Sequence, residues 1–312
     1  MARKSHFTDL EQETDMSDET TIAVLGTGIM GAPIARRLTA AFHRVTVWNR
    51  SHDKVARLGD EVPVDIADTP GAAVEQAETV IVMLSDGPAC DALLFGDDGV
   101  LSMMCADSTL IVMSSIPVDT AERQAEAARQ LGINYLDAPV SGGEKGAVDG
   151  SLAIMVGGEA AAFERARTLF DVLGRAVHVG PAGSGQLTKL ANQLIVANGI
   201  AAIAEALLLA ERGGADLERV LEALQGGFAD STILRIHGRR MLEHDHAPGG
   251  PARWQYKDTQ TALRQMERLA LELPVSRLVD GLFHDLIEHG DGALDHSALI
   301  RELKRRNRLP LD

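Results

Sequence analysis

The chain contains only two cysteines, Cys90 and Cys105, among its 312 residues. That excludes a disulfide framework and a cysteine-built zinc site and fits a reduced, cytoplasmic setting. Basic charge is scarce as well: 30 Lys and Arg against 45 Asp and Glu leave a formal net charge of −15. Nucleic acid is thereby excluded as a partner, because phosphate binding needs a basic face. A small anionic ligand stays open, since a site answers to its local groups rather than to the total charge. Residues 1–19 lack the apolar stretch of a signal peptide; they read as a polar extension, or as sequence ahead of an alternative start at Met16. The longest apolar run, Leu194 to Ala210, carries Asn198 and Glu205 and is shorter than a comfortable membrane span. It reads as a buried helix, with no membrane partner. His244-Asp245-His246 has no third ligand in view and reads as a solvated loop, so no metal is expected.

The remaining composition, 45% apolar and 24% charged, is that of a soluble globular protein, long enough for about two domains. From Thr21 to Val179 short Val/Ile/Leu runs alternate with helical stretches. Strands are expected at Thr21–Leu25, Arg44–Trp48, Thr79–Leu84, Leu110–Met113, Asn134–Leu136, Leu152–Val156 and Ala176–Val179, with helices such as Met30–Ala41, Val118–Leu131 and Ala160–Leu173. The alternation predicts an α/β fold, a Rossmann-type doubly wound and mostly parallel sheet covered on both faces. After Gly180 no strand is expected. Ser184 to Arg212 reads as a single helix of about 29 residues, ~43 Å long, stopped by Gly213-Gly214. Shorter helices follow at Asp216–Gln225, Ser231–Glu243, Trp254–Leu273, Pro274–His289 and Asp295–Arg306. The expected organisation is an extension over 1–19, a dinucleotide-binding domain over 20–182 and an all-α domain over 183–312 that begins with the long interdomain helix. Apolar around most of its circumference, that helix must be buried on nearly all sides, as a spine between domains or subunits. A homodimer or homotetramer formed through the helical domain follows.

Gly26-Thr27-Gly28-Ile29-Met30-Gly31 follows the first expected strand and opens a helix. GxGxxG alone is a weak signal; strand before and helix after make it a dinucleotide fingerprint. Gly26 permits the tight turn, Gly28 admits the pyrophosphate, and Gly31 lets helix and strand pack closely. At the end of the second strand, where an NAD site places Asp or Glu on the ribose hydroxyls, the chain reads Asn49-Arg50-Ser51, with no carboxylate until Asp53. Arg50 suits a 2′-phosphate, with Asn49 and Ser51 as further donors. NADP is favoured and NAD stays open.

Residues 137–158 set a Pro- and Gly-rich turn, with Ser141, Gly142 and Gly143, between two apolar runs. Such a turn leaves backbone N–H groups free to converge on a carboxylate, although an isolated glycine turn is more often only a turn. On the long helix Lys189 and Asn192 stand three residues apart and share a face, and Gly199, ten residues beyond Lys189, leaves room for a bound ring. A lone lysine on an apolar helix either snorkels out or faces a polar cavity.

Together the Gly-Thr-Gly-Ile-Met-Gly turn, Asn-Arg-Ser at 49–51, Asp-Ala-Pro-Val-Ser-Gly-Gly at 137–143, Gly-Ser-Gly-Gln-Leu-Thr-Lys-Leu-Ala-Asn-Gln at 183–193 and Lys257-Asp258 resemble the β-hydroxyacid dehydrogenase family, in the family's order, from Thr21 to Leu303. Gly226-Gly227-Phe228-Ala229-Asp230-Ser231 and His237-Gly238 are most similar to its 2-hydroxy-3-oxopropionate reductase branch. The resemblance implies an NAD(P)-dependent oxidoreductase that interconverts a small β-hydroxy acid and its semialdehyde. It assigns acid/base catalysis to Lys189, the substrate carboxylate to Ser141, Gly142 and Gly143, substrate orientation to Asn192, and a place beside the nicotinamide and substrate to Lys257. It adds Ile29, Met30, Met83, Leu84 and Ser115 to the cofactor contacts. Phe228, Ser231 and Trp254 are expected to line the substrate side of the helical domain. Gln193 departs from the family's usual second asparagine, and Pro251 to Tyr256 from its apolar lead-in to Lys-Asp. The alternatives are a reductase of glyoxylate or succinic semialdehyde, and a non-catalytic, dinucleotide-dependent binding protein.

Overall fold

The computed structural model describes residues 20–41 and 44–311; the extension expected over 1–19 lies outside them. The chain divides into two compact units, the first running to Ala182 and the second starting at Gly183, with Ile116–Ala121 belonging to the second.

In the first unit β1 (Thr21–Leu25), β2 (Arg44–Trp48), β3 (Asp65–Ile66), β4 (Thr79–Val82), β5 (Thr109–Val112), β6 (Asn134–Asp137), β7 (Val140–Ser141), β8 (Leu152–Gly158) and β9 (Gly174–Gly180) form one sheet. Its order is β3-β2-β1-β4-β5-β6-β8-β7, with β9 also paired to β8. Strands β3 to β6 are parallel, in a register that sets Val24 beside both Val47 and Ile81. The central strands β1, β4 and β5 are buried on both faces, which is why they read as nearly unbroken apolar runs, whereas the edge strand β3 is exposed. The expectation of a mostly parallel sheet is met, except that β8 runs antiparallel to β6 and β7. The helices of this unit are α1 (Gly31–Ala40), α2 (His52–Glu61), α3 (Pro70–Val74), α4 (Gly87–Phe95), α5 (Val118–Gln130, apart from its first four residues), α6 (Gly143–Asp149), α7 (Ala160–Arg165) and α8 (Arg167–Leu173). The single helix expected over 160–173 is two, because Ala166 leaves helical geometry at φ −86°, ψ 0°.

The second unit contains α9 (Ser184–Arg212), α10 (Leu217–Leu224), α11 (Arg239–Leu242), α12 (Ala252–Arg268), α13 (Pro274–Leu286) and α14 (Leu299–Arg306). The limits of α9 are those expected. Ala197, Ile200, Ala204 and Leu207 of α9 join Val279 and Phe283 of α13 and Leu299 and Leu303 of α14 in one core. Burial on nearly all sides is not what the helix shows: Leu187, Ile195 and Leu209 are 41%, 67% and 77% exposed. The elements around α9 cover one stripe and leave its opposite face open. The 231–243 segment contains a π-helical stretch, Leu234–Gly238, ahead of α11. Helix α12 stops at Arg268 rather than 273, where Ala270 takes a left-handed φ of 52°.

The solvated loop expected at 244–246 is only half so. His244 is exposed, but His246 is buried and its Nδ1 lies 3.0 Å from Ser297 Oγ. Desolvation by burial lowers its pKa, so the ring is a neutral packing element. The room expected at Gly199 is also taken: a Cβ there would meet Ile233 Cδ1 at 3.1 Å, so this glycine serves helix packing.

Candidate active site

In the first unit the cofactor candidates gather at the carboxyl ends of the parallel strands, where open α/β sheets bind ligands beside the strand at which the order reverses. Gly26 closes the turn after β1 at φ +103°, donating its N–H to Trp48 O at 2.8 Å. A Cβ on Gly26 would meet Met83 O at 2.3 Å and Leu84 Cδ2 at 2.8 Å, which places both of those candidates against the turn. A Cβ on Gly31 would strike Gly26 O at 1.8 Å, so helix and strand interlock here. Gly28 has nothing within 4 Å of its Cβ position. That open space, ahead of a helix whose Met30 cap position makes no side-chain hydrogen bond, fits a pyrophosphate on the first-turn N–H groups. Ile29, 62% exposed, flanks the space. Ser115 follows β5 on the same edge of the sheet, next to Ser114, whose hydroxyl accepts the Leu84 N–H at 2.7 Å.

Asn49 is already engaged. Its Oδ1 accepts the Thr27 N–H at 3.2 Å and its Nδ2 donates to Ser51 O at 3.1 Å, tying the fingerprint turn to the end of β2. Arg50 and Ser51 are exposed, and Arg50 has no hydrogen-bond or ion-pair partner among the described residues. An unpaired guanidinium at this place suits a phosphate better than a bare ribose hydroxyl.

The turn expected at 141–143 is confined to Gly142 and Gly143, because Ser141 ends strand β7. Ser141 pairs with Ala153 across β7 and β8, and Gly142 and Gly143 both take positive φ, 136° and 61°. A side chain at either would be strained, so the backbone remains bare and exposed after a half-buried serine.

In the second unit Lys189 stands in the second turn of α9. Burial of its surroundings pulls the ammonium pKa below the usual 10.5; the nearby Asp258 carboxylate opposes that fall, and Lys257 adds to it. Lys257, 43% exposed on α12, pairs with Asp258 at 3.2 Å. Asn192 Nδ2 donates to Gln193 Oε1 at 2.9 Å, and Gln193 Nε2 donates to Asp258 Oδ2 at 2.6 Å. Asn192, Gln193, Asp258 and Lys257 thus form one polar network on α9 and α12, whose charges Lys189 feels. The arrangement holds a desolvated proton donor beside a fixed amide, the equipment for stabilising and protonating a developing oxyanion. The three residues expected to line the substrate side all lie in the second unit. Ser231 Oγ caps the Leu234 N–H at 3.0 Å. Phe228 is fully exposed on a turn held by the Gly226 N–H to Asp230 bond, and Trp254 is half exposed. Two participants, Gln193 and Asp258, had been assigned no role. The Lys-Asp pair was a visible signal for Asp258; the bond from Gln193, 65 residues away, had none.

Comparison with known proteins agrees with this geometry. Residues 21–180 match the family model for the NAD-binding domain of 6-phosphogluconate dehydrogenase, and residues 183–303 match that of NADP-dependent 3-hydroxyisobutyrate dehydrogenase. The chain is 42% identical over 287 residues to 2-hydroxy-3-oxopropionate reductase of Escherichia coli, covering 91% of this chain and 97% of the relative. It is 32% identical to glyoxylate/succinic semialdehyde reductase 1 of Arabidopsis thaliana, covering 91% and 98%. Among solved structures, 3-hydroxyisobutyrate dehydrogenase of Mycobacterium tuberculosis with L-serine superposes with a TM-score of 0.84 at 29% identity, covering 91% of this chain and 99% of that one. With a dinucleotide turn on one unit, a desolvated lysine on the other and relatives matched along nearly their whole length, the chain belongs to the β-hydroxyacid dehydrogenase family and is an NAD(P)-dependent oxidoreductase.

Proposed function

We propose that the enzyme uses NADPH to reduce the semialdehyde of a small hydroxy acid, of the 2-hydroxy-3-oxopropionate type, with Lys189 as the proton donor. The observation that carries this reading is the Lys189 ammonium: burial lowers its pKa against the pull of the nearby Asp258 carboxylate, on a helix whose neighbouring amides are fixed. The dinucleotide, when bound at the Gly26–Gly31 turn, supplies the hydride. As the aldehyde oxygen gains negative charge, Lys189 stabilises it and delivers a proton to it. In the oxidative direction the neutral amine of Lys189 takes the alcohol proton. The N–H groups at Gly142 and Gly143, with the Ser141 hydroxyl, hold the substrate carboxylate, and Asn192 orients the rest of the molecule. The 2′-phosphate is the task of Arg50 and Ser51. The relative of the same branch, at 42% identity, supports the substrate class.

Decay of NADPH absorbance with 2-hydroxy-3-oxopropionate, succinic semialdehyde, glyoxylate and methylmalonate semialdehyde tests the reading. Lys189→Ala should keep its cofactor affinity and lose roughly 10²–10⁴-fold in turnover. Retention of more than a tenth of wild-type turnover would remove Lys189 from the mechanism. Tight NADPH binding without turnover of any aldehyde would favour the binding-protein alternative.

The proposal extends to assembly. Beyond the open face of α9, Val275 and Leu278 of α13 are 60% and 63% exposed, and the hydrogen bond from Asn198 to Ser276 brings the two helices side by side. An apolar face of this kind fits a second copy of the chain, in a homodimer or homotetramer.

A further inference from the structure

Gln193 makes three contacts within the helical unit. Its Oε1 accepts from Asn192 Nδ2 at 2.9 Å, its Nε2 donates to Asp258 Oδ2 at 2.6 Å, and its backbone carbonyl accepts from Gln255 Nε2 at 3.2 Å. The direction of these bonds is not arbitrary. An ionised carboxylate only accepts, so the edge of Gln193 that faces Asp258 must be its NH₂. The edge facing Asn192 is then its oxygen. Asn192 must answer with its own NH₂, and its Oδ1 is fixed on the opposite edge. Asp258, itself held by Lys257 at 3.2 Å, therefore sets the polarity of a side chain two hydrogen bonds away. A solvated asparagine flips freely; this one is read out in one orientation, on the helix face it shares with Lys189.

An amide oxygen held in one direction selects what approaches it. It repels a carboxylate and welcomes a hydroxyl, and a ligand lacking the hydroxyl leaves it unpaired. We propose that Gln193 is a positioning residue that turns Asn192 Oδ1 toward the substrate, so that the enzyme selects semialdehydes bearing a hydroxyl beside the reacting carbon. The proposal rests on the reading of this chain as a semialdehyde reductase.

The test compares 2-hydroxy-3-oxopropionate with its deoxy analogue, 3-oxopropionate, in wild type, Gln193→Met and Gln193→Glu, with NADPH binding measured alongside. Methionine keeps the length of the side chain and removes both of its hydrogen bonds. It should cost the hydroxylated substrate roughly tenfold in kcat/KM, mostly in KM, and leave the deoxy substrate within about twofold. Gln193→Glu should show the same loss at neutral pH, because its carboxylate cannot donate to Asp258. On acidification it should regain selectivity, since a protonated glutamic acid both donates and accepts as glutamine does. Asp258 beside that acid favours its protonation, while Lys257 and Lys189 oppose it. Equal losses on both substrates, or no recovery of Gln193→Glu at low pH, would reduce Gln193 to packing and overturn the inference while leaving the reductase reading intact. Failure of the wild type to reduce either aldehyde would overturn both, before any variant is compared.

Discussion

Two glycines of one turn should respond to the same substitution in opposite ways. An alanine at 31 places its Cβ 1.8 Å from Gly26 O, and that oxygen belongs to backbone held by Trp48 and packed against Met83. Relief requires helix and strand to part by roughly 1–2 Å, forfeiting packing contacts along both. Overpacking of this severity costs about 1–3 kcal/mol or more. An alanine at 28 meets nothing within 4 Å, and Gly28 does not use a positive φ. The ligand-free protein should therefore unfold within about 0.5 kcal/mol of wild type, or gain slightly from a stiffer unfolded chain. Its methyl would instead occupy the space read here as the pyrophosphate's. Losing one or two charge-assisted N–H bonds there weakens the dinucleotide about 10- to 100-fold. Urea unfolding of the ligand-free variants and fluorescence titration with NADPH separate the two effects. Wild-type affinity in Gly28→Ala would show that the open space does not hold the phosphates. Wild-type stability in Gly31→Ala would show that the interlocked turn does not limit the fold.

Arg50→Asp should weaken NADPH far more than NADH, since it sets a like charge against the 2′-phosphate; equal weakening of the two cofactors would remove Arg50 from that role. Reduction needs the Lys189 ammonium, so its rate should fall as pH rises through a pKa that burial holds below 10.5, while oxidation gains over the same range. Asp258→Asn removes the charge that resists the fall, so both limbs should move to lower pH; limbs that stay put would separate Asp258 from Lys189. Light scattering at micromolar concentration should give at least twice the 33.3 kDa of one chain, and Ile195→Glu should lower that mass. A wild-type mass of one chain would leave the apolar face of α9 without its proposed partner.

Local signals were legible in the sequence, and long-range pairing was not. The limits of α9 could be read because glycines mark both ends, Gly183 at φ +90° and Gly213-Gly214 after Arg212. Strands β1 and β2 were equally clear as apolar runs. Strands β3 and β7, two residues each, exist only because a neighbour pairs with them, so no periodicity announced them. Helix α2, with just Val55 and Leu58 buried, left a stripe too thin to notice. At the site, the glycine turn, Arg50 and Lys189 stood out as chemistry in context. Asn49 looked like a cofactor donor, but nothing local revealed that its amide bridges Thr27 and Ser51. Gly199 looked like ligand space until Ile233, more than thirty residues on, was seen to fill it.

That bridging amide has an evolutionary consequence. Asn49 acts as a rivet between the fingerprint turn and the second strand; Ser51 serves it through its backbone carbonyl, while the Arg50 and Ser51 side chains make no hydrogen bond among the described residues. With Arg50 and Ser51 reading the cofactor as proposed, structural and recognition duties fall on adjacent but separate positions. On that proposal a descendant of this chain could exchange residues 50 and 51, and with them its preference between phosphorylated and unphosphorylated cofactor, without loosening the turn. Selection on redox partner is thereby uncoupled from selection on folding.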